Sequence, residues 1–193
     1  MRICSILVFL FFNAALYGQR MKVSVDRTTA KEAYTYLLDF REDPKAMMRA
    51  LGVHFDHSKV SKVRLRWNKE LARAAELRAR DMAERNYFDH SNPEGVGPNH
   101  IIVQAGYSLN SDWLKKRTAN NFESIAANHP TAVEGMKAFI IGKGSPGFMH
   151  RKHVLGMDDW NGSLQDIGIG FVRVPAGAAY KTYMSVIIAK HDW

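Results

Sequence analysis

Several histidine and carboxylate side chains in this chain have the types and spacings that metal sites and acid–base catalysis use. His150 and His153 are spaced i, i+3, which places both on one face if their segment is helical. His54 and His57 share that spacing, but we interpret them as solvated histidines of a loop. The acidic doublet at 158–159 resembles a metal site but lacks the ligand spacing of a calcium loop. Residue type and spacing therefore give candidates but no complete ligand set.

Signatures of several other chemistries are missing from the sequence. The chain has no Gly-x-Ser-x-Gly nucleophile motif and no His-Glu-x-x-His motif, so it carries no familiar hydrolase signature. Its single cysteine, Cys4, cannot form an internal disulfide. A disulfide-stapled scaffold, a four-cysteine zinc ribbon and an iron–sulfur cluster are therefore excluded.

The composition indicates one folded domain with a basic surface. Hydrophobic residues make up 46% and charged residues 24% of the 193 residues, which is ordinary for a globular domain and unlike a disordered chain. The net charge of +8 favours anionic partners such as envelope polymers, or else serves only solubility. Lys and Arg are spread along the chain, and export is predicted below, so we expect no nucleic-acid partner.

The first 18 residues have the three-part layout of a secretory signal peptide. Arg2 supplies the positive start, residues 3–12 are an apolar run, and small residues lead to Gly18. The run is too short to span a bilayer, which takes about 20 residues, and no later stretch approaches that length. A retained N-terminal anchor is the alternative. We predict cleavage and a location outside the cytoplasm, either secreted or in a periplasm or cell envelope.

Behind this leader, the apolar pattern predicts helices first and a hairpin last. Thr29 and Thr131 each precede a Glu by three residues, as in a capping box, and Asn68 is a further N-cap candidate. The predicted helices cover residues 30–41, 45–51, 69–86, 100–105 and 132–141. Strands are predicted over residues 166–174 and 180–189. The order indicates an α+β class and one domain over residues 25–193.

Three pieces of sequence, in order along the chain, carry a family resemblance. They are residues 65–75 leading into 86–95, residues 122–126 followed by 132–133, and residues 145–155 followed by 166–170. Together they resemble the CAP superfamily, the SCP-like extracellular domains of cysteine-rich secretory proteins, antigen 5 and pathogenesis-related 1 proteins, and in particular its cysteine-poor bacterial branch. The resemblance implies a three-layer α-β-α sandwich with a central cleft.

The resemblance also implies which residues line that cleft. The family's two histidines fall on His90 and His150, and its first glutamate falls on Glu123. The position of the second glutamate is Phe139, so the implied metal set is a His-Glu-His triad. Glu134 is a candidate substitute ligand, but we favour its role in the helix cap.

Three departures from the family pattern concern the same segments. Ser124 replaces the usual Asn after the glutamate, and His153 stands where the family has Asn or a similar polar residue. We expect His153 to support the site or to be exposed. The usual Pro-Gly-His is split by the inserted residues 148–149, so His150 could lie off its expected position.

Two imidazoles and one carboxylate would suit a divalent ion, with Zn²⁺ the first choice. Such an ion would activate a bound water; without it, Glu123 is the candidate base. The alternative is that the three residues only organise the loops of the cleft. We favour a binding protein over an enzyme, with a small ligand, glycan, lipid or peptide in the cleft. A metal-dependent hydrolase of envelope peptides or esters and a structural envelope protein are the other interpretations.

Overall fold

The computed structural model describes residues 22–175 and 178–191. The predicted signal peptide, residues 1–18, lies outside these described residues. The helices are α1 (Arg27–Glu42), α2 (Pro44–Leu51), α3 (Lys69–Glu84), α4 (Pro98–Gln104), α5 (Ala132–Ile141), α6 (Met149–Leu155) and α7 (Asp159–Gly162). The strands are β1 (Ser24–Val25), β2 (Arg66–Trp67), β3 (Glu123–Ala127), β4 (Asp166–Arg173) and β5 (Thr182–Ala189). No helix within the described ranges is long and apolar enough to cross a bilayer.

Two of the three predicted N-cap residues cap their helices in the structure, and one prediction is corrected. Asn68 accepts a hydrogen bond from Leu71 N (2.8 Å), which confirms the predicted start of α3. Thr131 caps α5 in the same way. The predicted Thr29 cap of the first helix is wrong, because the Asp26 carboxylate accepts from Thr29 N (3.2 Å) and starts the helix earlier.

Thr29 instead joins two helices. Its Oγ1 accepts a hydrogen bond from the backbone N–H of Ala132, at 3.1 Å, in the first turn of α5. A free N–H at a helix start needs a partner, and here the partner comes from another helix rather than from its own cap. The residue that looked like a local signal therefore serves a tertiary contact between α1 and α5.

The sheet has the strand order β1-β4-β5-β3, and β2 pairs with β4 in parallel. The predicted hairpin is confirmed as β4 and β5, which are antiparallel with Gly168 opposite Ile187. β3 pairs with β5 so that Glu123 also lies opposite Ile187. The predicted second strand began at residue 180, two residues before the observed start. β3 is a further strand, at the edge of the sheet.

Two helical layers cover the two faces of the sheet, which confirms the α-β-α sandwich. α3 packs on one face, where Gly168 and Gly170 bring the backbone of β4 against the backbone of α3. α1, α5 and α6 cover the other face, where Met184 of β5 contacts α5 at Gly135. Side chains alternate along a strand, so neighbouring residues of β3 face different helical layers.

We predict that Gly168→Ala lowers the free energy of unfolding by about 3 kcal/mol. A Cβ at this position would lie 2.1 Å from the backbone N of Ala72, and neither strand nor helix can retreat without breaking the packing between them. Chemical denaturation measures the loss. Ile169→Val, on the other face of the same strand, is the control and should cost about 1 kcal/mol. Equal losses in the two variants would contradict the close approach.

Candidate functional site

A polar pocket of about 330 Å³ lies at the β3 edge of the sheet. Both helical layers contribute to it, because this edge is open to loops from either side. His90 follows α3 on one side, whereas His150 and His153 belong to α6 on the other. The sequence-predicted residues His90, Glu123 and His150 all line this pocket.

Glu123 is held in place by three partners. Its side chain has no exposed surface, and its Oε1 accepts hydrogen bonds from Arg78 Nε (3.0 Å) and Ser185 Oγ (2.9 Å). Its Oε2 bonds with His90 Nδ1 at 2.9 Å. Burial alone would raise the pKa of Glu123, but the bond with His90 and the charge of Arg78 lower it below its ordinary value. Glu123 is therefore an ionised, fully hydrogen-bonded carboxylate.

Arg78 is the central residue that sequence reasoning missed. Its side chain is only 1% exposed, and its guanidinium also donates to the carbonyls of Asp89 and His90, each at 2.8 Å. One arginine thus fixes both the carboxylate and the loop that carries His90. A signal was present in the sequence, because position 78 falls between Ala75 and Met82 on the apolar stripe of α3. A charge on such a stripe indicates a buried partner.

His150 lies against an apolar wall. Its ring packs edge-on against Phe139, with 4.9 Å between ring centroids. Burial and the nearby His90 both lower the pKa of His150, so the imidazole is neutral at pH 7. Phe139 occupies the position of the family's second glutamate, and an aromatic contact replaces a carboxylate there.

The insertion before His150 forms an exposed turn at the mouth of the pocket, which Met149 also lines. Gly147 and Phe148 both have left-handed backbone conformations, with φ of 60° and 56°. Phe148 and Met149 are 49% and 57% exposed, and the Phe148 ring lies over the Arg151 guanidinium. His150 still lines the pocket despite the two extra residues.

The three predicted ligands share one pocket, and their assignment as a metal set stays a prediction. Within the described ranges, no group of three or more His, Cys, Asp or Glu side chains is placed to hold an ion. Both oxygens of Glu123 already bond with Arg78, Ser185 and His90, so Glu123 would have to exchange one of these bonds to bind an ion. The same bonds and the lowered pKa also make the Glu123 carboxylate a poor proton acceptor. Two imidazoles remain as candidate ligands.

His153 forms a second buried contact in the pocket wall. Its Nδ1 lies 2.7 Å from Ser124 Oγ, and its Nε2 is buried without a partner at hydrogen-bonding geometry. Burial, with smaller contributions from the charges of Arg41 and His150, lowers the pKa of His153 to about 3. The two departures from the family pattern at 124 and 153 therefore contact each other. His153 is buried, so its predicted alternative as an exposed residue is wrong.

The remaining candidates lie elsewhere and have local roles. The Glu134 backbone N–H bonds with the Thr131 cap, and its carboxylate pairs with Lys137 at 2.7 Å. Asp158 caps α7 and accepts from Asn161. His54, His57 and Asp159 do not line the pocket. Trp67 packs edge-on against Tyr34 beside the core.

A comparison with protein families supports the sequence resemblance. The family model described as the cysteine-rich secretory protein family, CAP, matches residues 39–187. The uncharacterized protein YkwD of Bacillus subtilis (strain 168) is 31% identical over 109 residues. The match covers 56% of this chain and 35% of YkwD, so the chain spans about a third of that relative.

A solved structure shows the same fold. An outer surface protein from Borrelia burgdorferi aligns with a TM-score of 0.56 at 15% identity, covering 89% of this chain and 99% of that one. An extracellular protein containing a SCP domain from Bacillus anthracis str. Ames aligns more loosely, with a TM-score of 0.48 at 20% identity. That match covers 83% of this chain and 41% of the other protein.

We predict strong energetic coupling between Arg78 and Glu123. Arg78→Met leaves a buried carboxylate without its cation and should cost about 3–5 kcal/mol of stability. The double variant Arg78→Met/Glu123→Gln should cost less than the sum of the single variants by about 2 kcal/mol. Urea denaturation of all four proteins measures this coupling. Arg80→Met, which removes an exposed arginine paired with Glu84, should change stability by less than about 1 kcal/mol. Additive losses at 78 and 123 would contradict the pair.

We predict that His153 makes the fold acid-sensitive. The pKa of His153 is about 3 in the folded chain, against an ordinary 6.5, so protonation favours unfolding. Stability should fall by about 1 kcal/mol per pH unit from this residue as pH drops below 6.5. His153→Asn should therefore lose less stability than wild type between pH 7 and pH 5. Unfolding free energies at both pH values test this, with His54→Asn as control. An unchanged pH dependence in His153→Asn would refute the prediction.

Proposed function

The chain belongs to the cysteine-rich secretory protein (CAP) family, and on that premise we propose that it is an exported binding protein whose cleft takes up a divalent metal ion. His90 and His150 would hold the ion, and Zn²⁺ is the first candidate because it favours imidazole ligands. A bound ion would offer open coordination positions to a donor atom of a small ligand, glycan, lipid or peptide.

The hydrogen bond between His90 and Glu123 carries this proposal. Glu123 is ionised, so Nδ1 of a neutral His90 must donate the proton in their 2.9 Å bond. The tautomer then leaves a lone pair on Nε2. A carboxylate that orients a histidine in this way also raises its basicity as a metal ligand. The His90 side chain is 38% exposed, so that nitrogen is accessible to solutes.

His150 supplies the second donor in this proposal. The lowered pKa of His150 keeps its imidazole neutral at pH 7, which is the form that binds metals. Two imidazoles without a third protein ligand would hold an ion less tightly than a closed four-ligand site. An ion held by so few protein ligands keeps several positions for an exogenous ligand, which suits a binding function.

The arrangement favours binding over hydrolysis. A metal-dependent hydrolase commonly positions a free base beside the activated water, and Glu123 was the candidate. Its carboxylate is instead bonded to Arg78, Ser185 and His90 and has no exposed surface. Within the part of the chain that the structure describes, no other carboxylate lines the pocket.

A location outside the cytoplasm has two supports. The structural neighbour from Borrelia burgdorferi is an outer surface protein. The predicted signal peptide over residues 1–18 points the same way. Together they favour a secreted or envelope location for this chain.

We expect the purified protein to bind about one Zn²⁺ through His90 and His150. His90→Ala and His150→Ala should each weaken binding by at least about tenfold, because each removes a ligand. Glu123→Gln should weaken it about tenfold through loss of the orienting carboxylate. Calorimetry of metal-free protein measures these affinities, and circular dichroism confirms that each variant is folded.

His54→Ala is the matched control, because His54 is exposed and does not line the pocket. It should bind Zn²⁺ like wild type. If wild type, His90→Ala and His150→Ala bind Zn²⁺ equally weakly, the metal proposal is wrong.

A further inference from the structure

A groove of about 550 Å³ lies between α1 and α3, at the β4 edge of the sheet. This edge is opposite the edge that forms the cleft. The groove is lined by one carboxylate, Glu76, and by five cationic side chains: Arg27, Lys31, Lys69, Arg73 and Arg80. We propose that this groove binds an anionic polysaccharide, meaning a glycan chain with repeated carboxylate or phosphodiester charges.

The positive charge of the groove is only partly neutralised by the protein's own carboxylates. Lys69 lies 3.7 Å from Glu70. Both oxygens of Glu76 are occupied by Arg27, at 2.6 and 2.8 Å. Arg80 pairs with Glu84 at the far end. Among the described residues, Lys31 and Arg73 form no ion pair, so they remain available to an external anion.

The positions of these cations are not explained by helix stability. Arg27 and Lys69 are the first residues of α1 and α3, and Lys31 and Arg73 each follow by four residues. The N-terminal end of a helix carries partial positive charge, so cations there are unfavourable. Arg27 and Lys69 lie in the first turns of two adjacent helices, where a cation is unfavourable, and Lys31 and Arg73 add two further charges one turn later. An anionic ligand between the helices would relieve that repulsion.

Two further features of the groove suit a polymeric ligand: the position of Lys31 is restricted, and the floor is lined by small side chains. The Lys31 ammonium lies over the Trp67 ring, 3.6 Å from its centroid, which restricts the side chain. The floor includes the small side chains of Ala30 and Ala72. A ligand backbone can therefore approach closely.

The middle of β4, between the segments that pair with β1 and β2, adds backbone polar groups to the floor of the groove. β1 pairs with residues 172–173 of β4 and β2 with residues 166–167, so neither covers Ile169. The carbonyls of Ile167 and Phe171 accept hydrogen bonds from the backbone N–H groups of Asn68 and Asp26 at this edge of the sheet. Backbone directions alternate along a strand, so the polar groups of Ile169 face the same edge. Its backbone N–H and C=O therefore face the gap between the two short strands.

A glycan fits these features better than a nucleic acid. Single-stranded nucleic acids are held by bases that stack on open aromatic faces. Trp67 is the aromatic side chain that lines the groove, and Lys31 covers one face of its ring while Tyr34 packs at its edge. The groove thus offers spaced cations without an open aromatic platform, which matches the repeated charges of an anionic polysaccharide.

The test measures binding of full-length mature protein to two fluorescently labelled polymers, polygalacturonate and poly(glycerol phosphate). The first carries carboxylates and the second phosphodiesters, so the pair separates the two sources of charge. Wild type is compared with Lys31→Gln/Arg73→Gln and with Lys45→Gln/Lys59→Gln. The control pair removes the same charge from exposed positions outside the groove.

We expect wild type to bind at least one polymer, with affinity that falls as salt rises. The groove variant should bind about tenfold more weakly and with a smaller salt dependence, and the control variant within about twofold of wild type. Neutral dextran should not bind. Equal losses in the two variants, no binding by wild type, or tighter binding to single-stranded DNA than to either polymer would overturn the proposal. Zn²⁺ binding at the cleft does not enter this test.

Discussion

The buried ion pair between Arg78 and Glu123 is the constraint on which the cleft depends. Transfer of either charge from water to the interior is costly, and only close pairing with further hydrogen bonds offsets it. Here the further bonds come from Ser185 and from the carbonyls of Asp89 and His90. These partners belong to different parts of the fold, so α3, β3, β5 and the His90 loop are positioned together. A metal ion is not needed to neutralise Glu123, because the guanidinium already does so.

Local sequence patterns predicted the architecture correctly where the residue concerned acts on its own segment of the chain. Asn68 and Thr131 cap their helices as expected, and Gly168 permits the contact between strand and helix. The prediction failed at Thr29, whose hydroxyl is used by another helix. A capping pattern in a sequence cannot show which backbone N–H comes close in three dimensions. The role of the Thr29 hydroxyl was therefore set by a tertiary contact that the local sequence does not reveal.

The site was predictable in location more than in chemistry. The resemblance placed His90, Glu123 and His150 in one pocket, and the structure brings them there. It did not give the role of Glu123, because that role depends on Arg78 in a neighbouring helix. Nor could it show that residues 124 and 153 contact each other, since β3 and α6 are far apart in sequence. A pairwise contact between two unusual residues becomes visible only when the fold is known.

The left-handed turn at residues 147–148 has a consequence for how such proteins diversify. By the sequence resemblance this turn holds two inserted residues, and His150 still lines the pocket, so the chain can be longer here without losing the histidine from the site. Phe148 is exposed beside the pocket, and the partly exposed Met149 also lines it. Evolution can therefore alter what approaches the pocket by changing Phe148 and Met149, while the buried charges beneath continue to hold the fold. The side chains at the mouth of the pocket and the ion pair that stabilises its base are thus different residues and can change independently.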